Sequence, residues 1–134
     1  MTPPLVLVVE DDPSVRGLLQ TLLTAEGYEV NAASDGLAGL VKAAAQQPAL
    51  ILLDLMMPDL GGLRVLEELR SDPDMASIPV VVVTGKVDAV PGLREVLGER
   101  SVFSKPFAVS ELLERVAEVT GGPGTTTPYP EQRP

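Results

Sequence analysis

Leu5-Val6-Leu7-Val8-Val9-Glu10-Asp11-Asp12-Pro13-Ser14-Val15-Arg16-Gly17-Leu18-Leu19-Gln20-Thr21-Leu22-Leu23-Thr24-Ala25-Glu26-Gly27 holds two periods in succession. Leu5–Val9 is a continuous apolar run with no helical repeat, which reads as a strand buried on both faces. Val15, Leu18, Leu19, Leu22 and Leu23 fall on one stripe of a 3.6-residue helix. Asp12 stands at the N-cap, Pro13 at the first helical position and Gly27 just past the end, so both ends of that helix are marked. A buried strand followed directly by an amphipathic helix is half of a parallel βαβ unit.

The same alternation continues along the chain. Tyr28–Ala32, Leu50–Leu53, Val80–Val83 and Val102–Ser104 read as further strands, with Tyr28–Ala32 at the sheet edge because it carries Glu29 and Asn31. Leu37, Leu40, Val41 and Ala44 give a second helix stopped before Pro48, and Leu63, Leu66 and Leu69 give a third ending near Ser71-Asp72-Pro73. A fourth, Val87 to Gly98, is interrupted by Pro91 and Gly92, and a fifth is built on Leu112, Leu113, Val116 and Ala117 up to Gly121-Gly122. Five βα units with short, right-handed connections predict an α/β fold: a flavodoxin-like doubly wound three-layer sandwich around a parallel five-stranded sheet of order 2-1-3-4-5. Residues 1–120 are expected to form this domain. Residues 121–134, rich in Pro, Gly and Thr, hold too little apolar surface to order themselves and are expected to be a disordered tail or linker.

Composition narrows the chemistry. The 134 residues carry 10 basic and 19 acidic side chains, a net charge of −9, and 45% are hydrophobic, which is room for one core. The negative balance repels phosphate backbones and anionic lipid, so neither direct nucleic-acid binding nor membrane association is expected. No apolar run approaches the ~20 residues of a membrane span, and Met1-Thr2-Pro3-Pro4 lacks the basic start of a signal peptide. A cytoplasmic protein is expected. The absence of Cys and His removes thiolate and imidazole nucleophiles, Ser-His triads and zinc sites of the usual kind. Carboxylates, hydroxyls, Lys and Arg remain.

In a doubly wound sheet, ligands bind outside the carboxyl ends of the strands at the switch point. The first strand runs into Glu10-Asp11-Asp12, the third into Asp54, the fourth into Thr84 and the fifth into Lys105. Alone, each residue has an ordinary role: Asp12 as a helix cap, Asp54 as a turn former, Thr84 as a strand end, Lys105-Pro106 as a turn. Together they share one edge. At ~4 Å and an effective dielectric near 20, each like-charged pair costs about 4 kcal/mol, so clustered acids invite a cation. An all-oxygen, acid-rich shell suits Mg²⁺, with Mn²⁺ as an alternative. Lys105 and Thr84 beside it would cradle an anion of phosphoryl size, and Asp54 is the candidate nucleophile, since a carboxylate can accept a phosphoryl group as an acyl phosphate.

Four motifs carry a resemblance over residues 5 to about 120: Leu-Val-Val-Glu-Asp-Asp-Pro at 7–13, Leu-Leu-Asp-Leu-Met-Met-Pro-Asp-Leu-Gly-Gly at 52–62, Pro-Val-Val-Val-Val-Thr-Gly at 79–85 and Ser-Lys-Pro-Phe at 104–107. In combination the chain resembles a response-regulator receiver domain of two-component signalling, single-domain type. The resemblance implies that Asp54 is the phosphoacceptor, that Asp11 binds Mg²⁺ directly and Glu10 mainly through water, and that the Met56 backbone carbonyl completes the protein's share of the metal shell. It implies that Thr84 hydrogen-bonds the phosphoryl group and that Lys105 pairs with it across a cis peptide to Pro106. The implied partners are a sensor histidine kinase or histidine phosphotransfer protein and a downstream protein target. The implied activity is that of a switch with self-phosphorylation and self-dephosphorylation only, not a true enzyme.

The chain departs from the pattern in three places. Val102 stands where the family usually has an aromatic, Gly61 where it often has Asp, and Gly98-Glu99-Arg100-Ser101 replaces a small-residue turn. Phe103 does not substitute for the missing ring, because strand alternation points it to the other face, into the core. Competing readings are a pseudo-receiver that never turns over phosphate and the N-terminal receiver of a longer regulator. A phosphohydrolase using Asp54 would want a second acid where Met56 stands, and a flavin module would want a neutral phosphate loop where Glu10-Asp11-Asp12 stands.

Overall fold

The computed structural model describes residues 3–57, 61–85 and 92–122. Its elements are β1 (Leu5–Val9), α1 (Pro13–Glu26), β2 (Glu29–Ala33), α2 (Gly36–Gln46), β3 (Leu50–Leu53), α3 (Gly62–Ser71), β4 (Val80–Thr84), α4 (Leu93–Leu97), a 3₁₀ turn (Glu99–Ser101), β5 (Val102–Ser104) and α5 (Val109–Thr120). The strands are parallel in the order β2-β1-β3-β4-β5, as the sequence predicts. Strand alternation divides the core into two layers. Val6, Val8, Leu50, Leu52, Val81 and Val83 meet Leu19 and Leu23 of α1 and Leu112 and Val116 of α5. Leu7, Val9, Ile51, Leu53, Val80, Val82 and Val102 face α2, α3 and α4 through Ala43, Val65, Leu66, Leu69 and Leu93. Among the described residues no helix is long and apolar enough to cross a membrane.

The ends of α1 are built as expected. The Asp12 carboxylate accepts the Ser14 N–H at 2.8 Å, Pro13 opens the helix, and Gly27 closes it in the left-handed region at φ 105°. That closure shifts β2 by one residue from the expected Tyr28–Ala32. Tyr28 donates its N–H to Leu23 O at 3.1 Å and so belongs to the helix cap, leaving Glu29–Ala33 as the strand. β4 runs one residue further than expected, so Thr84 is its last residue. Of the fourth helix expected over Val87–Gly98, α4 covers Leu93–Leu97, and residues 86–91 lie outside the described residues. Of the expected tail, residues 123–134 also lie outside them.

The face of α2 is the main correction. The expected stripe Leu37, Leu40, Val41, Ala44 is not the buried one: Leu37 is 65% and Val41 61% exposed, Ala44 is exposed, and Leu40 is partly buried. The helix buries Gly36, Gly39 and Ala43 instead. It lies so close to β1 that a Cβ on Gly39 would stand 2.9 Å from Val9 Cγ2. Small residues make the contact because only they fit, which a reading by hydrophobicity alone reverses. A milder version occurs in α3, where Leu63 is exposed and Gly62, Val65, Leu66 and Leu69 are buried.

Leu37→Gln is therefore expected to change stability by no more than about 0.5 kcal/mol, a surface effect. Gly39→Ala is expected to destabilise by about 1–3 kcal/mol by overpacking Val9. Urea unfolding of both variants checks the ranking, and the reverse order would place Leu37 in the core.

Candidate functional site

The site lies where β1 and β3 end side by side. Asp54 N–H donates to Val9 O at 3.0 Å and Glu10 N–H to Ala33 O at 3.1 Å, so the sheet ladder continues one residue past the strands and fixes where both acids emerge. Carboxylate oxygens of Glu10, Asp11 and Asp54 lie within 4.8 Å of one another. Glu10 is only 2% exposed and Asp54 4%, whereas Asp11 is half-buried and reaches solvent. Met56 donates its N–H to Asp54 Oδ1 at 3.0 Å, which holds the carboxylate over the turn that follows β3.

From the other side of the switch point, Lys105 brings its ammonium to 3.0 Å from Glu10 Oε1 and 3.5 Å from Asp54 Oδ2. Its backbone N–H donates to Thr84 O at 2.9 Å, tying the end of β5 to the end of β4. The Lys105–Pro106 peptide is cis, as the resemblance implies. Thr84 is fully buried at the end of β4. The structure thus gathers Glu10, Asp11, Asp54 and Lys105 within one pocket, with Met56 and Thr84 attached to it by backbone hydrogen bonds. Val102 is buried in the core layer of α2, α3 and α4, while Phe103 packs against the opposite layer, as strand alternation predicts.

Among the described residues, the pocket is short of positive charge. Burial pushes the Glu10 carboxyl up from 4.5 to about 7, against hydrogen bonds from Lys105 and the Asp12 N–H that lower it, while the Asp54 charge adds to the rise. For Lys105, burial works against the ammonium. The Glu10 hydrogen bond and the Glu10 and Asp54 charges outweigh that effect and hold its pKa above the usual lysine value. Both shifts bring protons toward three acids served by one ammonium, and a divalent cation would relieve the same excess. The donors are carboxylates and backbone, with no His or Cys in the chain, a set that fits Mg²⁺ and Mn²⁺ and not zinc.

Two residues of the site were not legible as functional in the sequence. A Cβ on Gly62 would fall 2.1 Å from Asp54 O and 2.4 Å from Leu55 Cα, so only glycine lets the start of α3 close on the turn that follows Asp54, where its N–H donates to Leu55 O at 3.1 Å. Its signal was a glycine at the first helical position, directly after the N-cap Gly61, where most other residues form helix more readily. Arg16 sits on α1 and donates from Nη1 to Glu10 O at 2.9 Å and Asp11 O at 3.3 Å. A cation six residues past an acid, with a proline between them, gives no periodic signal.

Residues 6–117 match the response regulator receiver domain family. The chain is 40% identical over 116 residues to the DNA-binding dual master transcriptional regulator RpaA of Synechocystis, covering 84% of this chain and 47% of RpaA. It is 41% identical over 118 residues to the response regulator PleD of Caulobacter vibrioides, covering 86% of this chain and 26% of PleD. The chain thus spans about half the length of RpaA and its like, and a quarter of PleD. Among solved structures, the chemotaxis protein CheY4 of Vibrio cholerae superposes with a TM-score of 0.74 at 28% identity, over 87% of this chain and 98% of that one. The receiver domain of the sensor histidine kinase PA1611 of Pseudomonas aeruginosa, solved with a magnesium ion coordinated in its active site cleft, gives 0.76 at 28% identity, over 89% and 98%. A doubly wound sheet with this acidic switch point defines a two-component signalling module, and the chain belongs to the response-regulator receiver domain family.

The Glu10 shift sets a pH dependence. A carboxyl whose pKa is higher in the folded than in the unfolded chain stabilises the fold below its unfolded value and loses that contribution as pH rises through the folded one. In metal-free protein, Glu10→Gln, which keeps the neutral form at every pH, should gain stability relative to the parent chain as pH climbs from 4.5 to about 7. Thermal melts across that window check it. A gap that stays flat, or closes with rising pH, would show that the Glu10 carboxyl is not raised.

Proposed function

We propose that the chain is a phosphoacceptor switch in which Asp54 takes a phosphoryl group from a phosphohistidine on a sensor histidine kinase or histidine phosphotransfer protein. The observation that carries this reading is the Lys105 ammonium 3.0 Å from Glu10 and 3.5 Å from Asp54 above three converging carboxylates. Asp54 attacks phosphorus, the P–N bond to the imidazole breaks, and the product is an aspartyl phosphate that water later hydrolyses. Glu10, Asp11, Asp54 and the Met56 carbonyl would hold Mg²⁺, or Mn²⁺ in its place, which when bound neutralises charge on the phosphoryl oxygens. Lys105 already sits beside Asp54 Oδ2 and pairs with the added group, and the Thr84 hydroxyl hydrogen-bonds it. The intact acid set and lysine favour this reading over a pseudo-receiver.

The output is proposed to pass through α4 and β5 to a protein target. Arg94 Nη1 donates to Val102 O at 3.3 Å, so α4 is held to the backbone of β5. Val102 is β-branched and stiff at its first side-chain torsion, with no ring to rotate. RpaA is named as DNA-binding; a net charge of −9 makes direct binding of this chain to DNA unfavourable, so the target is taken to be protein. We take residues 1–120 as the receiver, 121–134 as a tail or linker, and the cytoplasm as its place.

Incubation with acetyl phosphate and Mg²⁺ should add one phosphoryl, about 80 Da by intact mass, stable to acid and labile to base, as an acyl phosphate is. Asp54→Asn should abolish it. Labelling of the Asp54→Asn variant at the parent level would overturn the assignment, and an unlabelled parent chain would favour the pseudo-receiver.

A further inference from the structure

The loop between β1 and α1 has to present Glu10 and Asp11 toward Asp54 against their mutual repulsion, and one residue collects its backbone. The carbonyls of Glu10, Asp11 and Asp12 all accept from Arg16: Nη1 donates to Glu10 O at 2.9 Å and to Asp11 O at 3.3 Å, and the backbone N–H donates to Asp12 O at 2.8 Å. The last bond is the ordinary first turn of α1. The other two are side-chain bonds that no helix requires.

Their consequence reaches the carboxylates through peptide geometry. In a trans peptide the C=O and the N–H that follows it point in opposite directions. With the Asp11 carbonyl held by Arg16, the Asp12 N–H is aimed the other way, and it donates to Glu10 Oε2 at 3.2 Å. The remaining Glu10 oxygen, Oε1, lies 3.0 Å from Lys105 Nζ. Both oxygens of a carboxylate that is 2% exposed are thus fixed, one by Lys105 and one by a peptide whose plane Arg16 sets. Among the described residues, no carboxylate lies within ion-pair distance of Arg16. It acts through the backbone, not as a counter-charge to the acids.

We propose that Arg16 is the positioning residue of the acid pocket: by binding the Glu10 and Asp11 carbonyls it orients the Asp12 N–H onto Glu10 and presets the carboxylates for a divalent cation. This rests on the metal-dependent phosphoryl acceptance proposed above. Groups that orient the ligands of a metal without touching it tune affinity more than chemistry. A side chain that only stabilised α1 would instead lower the melting temperature and leave the metal dependence alone.

The test compares Arg16→Gln and Arg16→Lys with the parent chain by two readouts. The first is the Mg²⁺ concentration giving half-maximal phosphorylation by acetyl phosphate. The second, in metal-free protein, is the exchange rate of the Asp12 amide hydrogen relative to the α1 amides beyond the first turn. For Arg16→Gln the half-maximal Mg²⁺ should rise by about tenfold or more, while the rate at saturating Mg²⁺ stays within about threefold of the parent. The Asp12 amide should exchange faster with the later α1 amides unchanged. Arg16→Lys, whose ammonium can reach one carbonyl, should recover part of both, and it carries the test if the Gln variant does not fold. An unchanged Mg²⁺ dependence with an unchanged Asp12 amide would overturn the proposal, as would uniform loosening of α1 that the Lys variant shares in full. If the parent chain itself is not labelled, the functional reading fails, and the Asp12 amide alone decides whether Arg16 positions Glu10.

Discussion

Everything at the switch point follows from keeping three carboxylates together. Glu10, Asp11 and Asp54 have oxygens within 4.8 Å, two of the three residues are almost fully buried, and among the described residues a single ammonium lies beside them. Such a cluster repels itself strongly, so its geometry has to be held by hydrogen bonds from the backbone. The sheet supplies the first of these, because Asp54 N–H on Val9 O is simply the next rung of the β1–β3 ladder. Turn amides supply the rest: Met56 N–H on Asp54 Oδ1 and Asp12 N–H on Glu10 Oε2. The acids are placed by backbone and, among the described residues, matched by one ammonium.

That division of labour explains why the pocket needs small or specific residues at some distance from the chemistry. Gly62 lets α3 begin against the Asp54 carbonyl, and Gly39 lets α2 lie on Val9, the last residue of the strand that delivers Glu10. A side chain at either place would push a helix away from the strand end that carries an acid. The same logic gives Arg16 its part, since it binds the loop by its carbonyls and leaves the side chains facing the pocket.

Much of this was legible in the sequence, and for identifiable reasons. Buried parallel strands read as unbroken apolar runs, so Leu5–Val9 and Leu50–Leu53 were correct to the residue, and the sheet order followed from five short right-handed βα connections. The convergence of Glu10, Asp11, Asp54 and Lys105 followed from one rule about strand ends. What failed was mainly the choice of helix face: Leu18 of the α1 stripe is 48% exposed, and in α2 the contact is made by small residues. The α2 stripe was assigned to Leu37, Val41 and Ala44 because hydrophobic residues were assumed to face inward, yet close approach to β1 turned Gly36, Gly39 and Ala43 to the core. The offset in β2 has a different origin: Tyr28 is apolar enough to read as strand, but its N–H closes α1. Gly62 and Arg16 act through backbone atoms, which no side-chain pattern records.

The proposal that Glu10, Asp11 and Asp54 form a preset site for a divalent cation can be put to a Mg²⁺ titration of the unphosphorylated protein followed by backbone amide NMR. Saturable shifts confined to the amides around Glu10–Asp12, Asp54–Met56 and Lys105 are expected, with modest affinity because Mg²⁺ gives up its water reluctantly, and with their loss in Asp11→Ala. Shifts spread evenly over the acidic surface, or none near Asp11 and Asp54, would contradict it.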